Sequence, residues 1–209
     1  LTAYSESTVD DRGHAALRQW SGFYGTDHRL ASFSEESTDA LGNVTRRGQE
    51  GLTYDSLGRA QSYDEWSEDI FGQRTAARWT AAGYDAKDRL SGYQLVESLP
   101  SGRTMTTLRS AMTYDAAGRL AQYNDELAAR GGYSPDATGR QTVRVLSFDA
   151  FGQATLTQTT ATNPLGETTE RTHQAEYDGR GRLASTADTL RSADGAADVA
   201  RWSVDAFDE

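Results

Sequence analysis

Five aspartates recur at near-constant intervals along this chain: Asp55, Asp85, Asp115, Asp149 and Asp178. Carboxylate-rich loops are the material of calcium sites, where several oxygens must converge on one ion. The dense Asp-x-Asp-x-Asp spacing of such loops is missing, and each aspartate instead opens a short turn ending in Gly or Asp. Capping that turn is the expected role, and no metal or other cofactor is implied. The three histidines, His14, His28 and His173, lie far apart in sequence and lack the His-x-x-x-His spacing of a metal pair. They read as turn and surface residues. The acid pairs Asp10-Asp11 and Glu35-Glu36 are adjacent in sequence. Adjacency does not provide the separation of about 5–10 Å across a cleft that glycosidase carboxylates need. No Gly-x-Ser-x-Gly, Gly-x-Gly-x-x-Gly or Walker loop occurs. The expectation is a protein without catalytic residues. The most plausible binding residues are the aromatics Trp66, Trp79, Tyr93 and Tyr123, as a platform for sugars. The competing reading is that they pack one face of a sheet.

Composition narrows the field further. Of 209 residues, 36% are apolar, 25% charged and 10% aromatic. The apolar share is below the usual ~45–50%, which points to a thin wall with one apolar face. The net charge is −10 and no basic stripe is present, so nucleic acid is not an expected partner. The absence of cysteine excludes disulfides and thiolate metal sites. No apolar run reaches the ~18 residues of a membrane-spanning helix, so no membrane insertion is expected.

The elements that would position these residues follow from a repeat. Tyr24, Tyr54, Tyr84 and Tyr114 lie 30 residues apart, and Phe148 and Tyr177 continue at steps of 34 and 29. Residues 1–23 read as the end of a preceding repeat. Residues 24–203 hold six copies, starting at 24, 54, 84, 114, 148 and 177, and residues 204–209 begin another. Both ends fall inside repeats, so a piece of a longer polypeptide is expected. Each tyrosine or phenylalanine is followed by a tight turn. A second glycine-bearing turn comes about halfway along: Asp39–Asn43, Asp69–Gln73, Leu99–Arg103, Asn163–Glu167 and Ser192–Gly195, with a half copy at Asp10–His14. In the longer fourth copy, Arg130-Gly131-Gly132 competes with Asp136–Arg140. The second is preferred because it keeps Asp-x-x-Gly, leaving Ala129 to Pro135 as an insertion or widened loop.

In such a turn Asp caps the first position and Gly takes a left-handed conformation, a type I turn with a G1-type bulge. His28 and Asp88 stand where that glycine is missing, and both residue types tolerate positive φ. Between turns, Thr, Tyr, Val, Leu and Trp alternate with period two, as strands do. Leu108, Met112 and Tyr114 would share one face, with Arg109 and Thr113 on the other. A second aromatic recurs nine residues after the first four tyrosines, at Phe33, Tyr63, Tyr93 and Tyr123, with Thr157 and Thr186 in its place in the last two copies, and Trp79 and Trp202 hold equivalent places. Cross-strand aromatic ladders follow. The fold expected is all-β: a continuous antiparallel meander with two strands per repeat. It curls into a spiral ribbon, shell or barrel-like wall because strands twist. Glu126–Arg130 and Ala193–Ala200 are the only candidates for a helical turn.

Tyr114-Asp115-Ala116-Ala117-Gly118-Arg119-Leu120 resembles the signature of the YD-repeat, or Rhs-repeat, family, as does Tyr177 to Leu183 with Asp178, Gly181 and Arg182. Tyr54-Asp55 with Gly58 and Arg59, and Tyr84-Asp85 with Arg89, each miss one position. Phe148, Asp149 and Gly152 match more loosely, and Tyr24 to Leu30 keeps only the tyrosine, arginine and leucine. The family includes Rhs polymorphic toxins, insecticidal toxin complexes, wall-associated bacterial proteins and teneurins. The resemblance implies a structural segment of a large secreted or cell-surface bacterial protein, with further repeats of the same chain as partners. A toxin-enclosing shell is favoured; an adhesin-like surface for glycans or a partner protein is the alternative. No Asp-Pro dipeptide occurs, so the resemblance does not reach the self-cleaving segment of the toxins.

Overall fold

The computed structural model describes residues 2–9 and 15–204. The Asp10–His14 half copy, with Asp11 and His14, and the start of the last copy at Asp205–Phe207 lie outside the described residues. The protein is all-β, fourteen strands in one antiparallel meander. They are β1 (Ala3–Val9), β2 (Ala15–Tyr24), β3 (Leu30–Thr38), β4 (Val44–Tyr54), β5 (Ala60–Glu68), β6 (Arg74–Tyr84) and β7 (Leu90–Ser98). There follow β8 (Arg103–Tyr114), β9 (Leu120–Gly131), β10 (Ala137–Phe148), β11 (Ala154–Thr162), β12 (Thr168–Tyr177), β13 (Leu183–Arg191) and β14 (Ala197–Ser203). Spatial order equals sequence order, and β1 and β14 are the two edges. The chain divides into two compact units. Unit 1 is Leu1–Thr107 with Ala129–Asp136, and unit 2 is Leu108–Ala128 with Ala137–Glu209.

The turns form for local reasons. In Asp55–Arg59 the N–H of Asp55 donates to the Arg59 carbonyl, and that of Gly58 to the Asp55 carbonyl. The same pair of bonds closes the other tyrosine-linked turns, including the one at Gly25–Arg29. The fourth residue must turn left-handed: Gly118 has φ 83°, and His28 and Asp88 accept 62° and 60°.

Three expectations need correction. The second turn of the fourth copy is not Asp136–Arg140. Strand β9 runs to Gly131, β10 starts at Ala137, and Gly139 lies inside β10. Gly131 and Gly132 both take positive φ and turn the chain, while the Asp136 carboxylate reaches back to the Gly131 N–H at 2.9 Å. Arg103 pins the resulting loop by donating to the carbonyls of Gly131, Ser134 and Pro135. The two helical candidates are also extended: Glu126–Arg130 lies in β9, and Ala193 to Ala200 is a turn leading into β14. Neither is long enough to overcome the cost of helix nucleation.

The third correction concerns facing. Ala111 adopts φ 51°, which interrupts the alternation of β8. An extra residue sits at the matching place in β4, where Gly51 and Leu52 lie between the pairs Glu50–Asp64 and Thr53–Ser62. The same happens at Ala82 in β6 and Leu146 in β10. Such a bulge moves every earlier side chain to the other face. Arg109, not Leu108, therefore shares the face of Met112 and Tyr114. An alanine forced left-handed costs ~1–2 kcal/mol, partly offset in glycine by its greater unfolded freedom. Ala111→Gly is thus expected to raise stability by about 0.5–1 kcal/mol in urea unfolding; a loss of stability would refute the bulge.

Packing is one-sided. Among the described residues the buried hydrophobic ones are Ala77, Val143 and Ala175, and the buried polar ones are Glu35 and Asp125. The two buried acids and Ala77 lie on the face that carries the repeat tyrosines. Call this the tyrosine face.

Candidate functional site

The repeated motif builds a spine along the tyrosine-linked turns. In the motifs that have an aspartate after the aromatic residue, it accepts two backbone N–H bonds through Oδ1, as Asp55 does from Leu57 and Arg59. Its Oδ2 takes the arginine of the same turn: Arg59 on Asp55, Arg89 on Asp85, Arg119 on Asp115 and Arg182 on Asp178. Where Gln153 replaces arginine, its amide bridges Asp149 and the Gly181 carbonyl. The arginine then covers the next repeat. Arg29 lies 5.4 Å from the Tyr54 ring centroid, Arg59 4.5 Å from Tyr84, and Arg119 4.0 Å from Phe148. Arg59 also reaches Asp88 at 2.6 Å.

The tyrosine itself works backwards. Backbone pairing of β3 with β4 stops at Phe33–Gln49, and that of β5 with β6 at Ser62–Thr80. Beyond those points the strands part, and a hydroxyl closes the gap: Tyr54 donates to the Leu30 carbonyl at 2.8 Å and Tyr84 to that of Ala60 at 2.5 Å. In unit 2, Tyr177 points to the Ala154 carbonyl at 3.5 Å. The motif at Tyr54 thus grips the repeat before it by a hydroxyl and covers the one after it by the Arg59 guanidinium.

These bonds depress Asp55, Asp85, Asp115 and Asp178. The Arg89 guanidinium, then its backbone N–H, holds the Asp85 carboxyl down to about 2. Asp55, Asp115 and Asp178 also titrate below the usual range, chiefly through the backbone N–H of their arginines. A folded-state pKa below the unfolded one stabilises the fold at pH values above the unfolded pKa, and the gain disappears as pH falls through the folded value. The melting temperature is therefore expected to hold from neutrality to about pH 5 and to fall between about pH 4 and pH 2. Thermal unfolding followed by circular dichroism checks this. Equal melting temperatures at neutral pH and at about pH 2.5 would contradict the assignment.

The aromatic platform divides. Tyr63 stacks on Trp79 at 5.2 Å, and Trp79 lies 6.2 Å from Tyr93. A second ladder, Tyr4–Trp20–Phe33, has spacings of 5.7 and 6.2 Å. Both are on the tyrosine face. Trp66 is not among them: it stands three residues from Tyr63 along a regular strand, and so on the opposite face, beside Gly48 and Ala76. Arg74 covers its ring at 4.6 Å. Its indole explains Gly48, where an added Cβ would come within 2.9 Å of the Trp66 ring nitrogen and 2.7 Å of the Phe33 carbonyl. Trp66 also borders a groove of about 590 Å³ with Gln19, Ser21, Ser34 and Glu36 along its sides. Tyr123 belongs to unit 2 and carries the Arg109 guanidinium 3.7 Å from its centroid.

Three paired acids, Glu35 in unit 1 and Asp125 and Asp188 in unit 2, escaped sequence reading. Glu35 takes Arg18 at 2.6 Å and Arg47 at 3.0 Å, which hold its carboxyl low. Asp125 takes both nitrogens of an Arg109 fork at 2.8 and 2.9 Å, and Gln141 at 3.0 Å. Asp188 binds Arg171 and His173, which depress its carboxyl in that order. The signal was present: Glu35, Asp125 and Asp188 each follow a repeat tyrosine by eleven residues. Glu36 faces away and pairs with Arg46. His28 serves its turn. Among the described residues no three His, Asp or Glu side chains gather as a metal-holding group. In comparisons with known proteins, no family model and no curated protein matches the chain.

Proposed function

We propose that this chain is a structural segment of a large secreted or cell-surface bacterial protein of the YD/Rhs-repeat kind. Its repeats would serve as shell wall or extended scaffold, with enclosure of a toxin domain the favoured use. The observation that carries the reading is the spine: Tyr54 and Tyr84 grip the preceding repeat while Arg29 and Arg59 cover the following one. Such an arrangement spends the recurring polar residues on joining repeats, as a mechanical array requires. An antibody to the segment, applied to fractionated cells that make the protein, tests it. A band far larger than 22.8 kDa in the secreted or surface fraction is expected. A cytosolic band of about that mass alone would defeat the proposal. Protease protection of material downstream of the repeats would then separate shell from fibre.

One observation favours a second reading, an adhesin-like surface. Trp66 lies outside both ladders and borders a groove lined by Tyr4 and Trp20 as well as by Gln19, Ser21, Ser34 and Glu36. A glycan array probed with wild type and Trp66→Ala decides it, and no binding by the wild type removes it.

A further inference from the structure

We propose that the turn Asp149–Gln153, between β10 and β11, is a built-in seam, the tyrosine-linked turn that opens most readily. The spine is interrupted on both sides of this turn. On one side, the residue that should grip the preceding repeat is Phe148, which has no hydroxyl to offer the carbonyl at the start of β9. Its ring still receives Arg119, so the backward bond is lost while the forward cover is kept. On the other side, Gln153 stands where Arg59 and Arg119 stand in their turns. A neutral amide can neither form an ion pair with Asp149 nor place a cation on the Tyr177 ring. It bridges Asp149 at 3.3 Å and the Gly181 carbonyl at 3.1 Å, longer than the 2.7–2.8 Å of the Arg–Asp bonds in the other turns. The Tyr177 hydroxyl beyond it reaches the Ala154 carbonyl only at 3.5 Å, against 2.8 Å for Tyr54 and 2.5 Å for Tyr84.

These defects fall where they matter. Backbone pairing of β11 with β12 stops at Leu156–Gln174, so Ala154 and Tyr177 lie in the parted ends that a side chain must close. One hairpin end thus lacks a hydroxyl tie behind it and a cationic tie ahead of it. The other tyrosine-linked turns described above keep at least one.

Hydrogen exchange on the whole chain, read by mass spectrometry of peptides, tests the seam. In the wild type, peptides covering 148–156 are expected to exchange at least about tenfold faster than those covering 54–62 and 84–92. The double variant Phe148→Tyr/Gln153→Arg restores both ties and should slow the 148–156 peptide by about tenfold, leaving 54–62 and 84–92 unchanged. Gln153→Met, similar in length but uncharged, should give no slowing. Uniform exchange across all these turns in the wild type would overturn the proposal. So would a double variant that is no slower, a slowing spread over the whole chain, or a methionine variant as protected as the arginine one.

Discussion

Asp125→Ala is expected to cost the fold about 2–4 kcal/mol, seen as a lower urea midpoint in far-UV circular dichroism. Asp125 is 2% exposed, and its two oxygens take a forked Arg109 and the Gln141 amide. Alanine leaves those donors facing an apolar methyl group, and Arg109 is itself mostly buried. Removing one partner of a buried, hydrogen-bonded charge pair is costlier than the pair's net worth, because the remaining charge keeps its desolvation penalty. Asp125→Asn keeps the shape and one acceptor, and should fall between wild type and alanine. A loss below about 0.5 kcal/mol for the alanine variant would mean that water replaces the carboxylate and the site is not closed.

Trp79→Ala should cost about 2–4 kcal/mol, near the lower part of the range for aromatic truncation in cores, since the ring is only half-buried. Trp79 is the middle rung between Tyr63 and Tyr93, and it pairs across strands with Leu95. Its loss removes two ring contacts and opens a gap that neighbouring strands cannot close without breaking register. Trp66→Ala, on the opposite face and outside the ladders, should cost less. The order of the two denaturant midpoints is the measurement, and a reversed order would reassign the load-carrying face.

Much of this was legible in the residues. The 30-residue step from Tyr24 to Tyr114 placed the strands, and His28 and Asp88 marked left-handed positions without glycine. Parity along β5 already put Trp66 and Tyr63 on opposite faces, so the split platform was readable from spacing alone. The bulges were not readable. Gly51 advertises one, but Ala82, Ala111 and Leu146 carry no mark, and a bulge present in successive copies leaves the period unchanged. The Gly131–Gly132 turn was hidden because Asp136 supplies the same letters as a forward cap while bonding backward. The arginine-over-ring pairs lie 25 residues apart at Tyr54 and Tyr84 and 29 apart at Phe148. They become neighbours only once the meander sets two hairpins side by side.

That meander bears on how the molecule is made. Every strand is bonded to the strands next to it in the chain. Closing each pairing therefore spans one short loop, the cheapest search a sheet offers. A growing polypeptide can lay down one hairpin at a time as it leaves the ribosome. Each finished turn then presents, in Leu30 or Ala60, the carbonyl that the next tyrosine will seek.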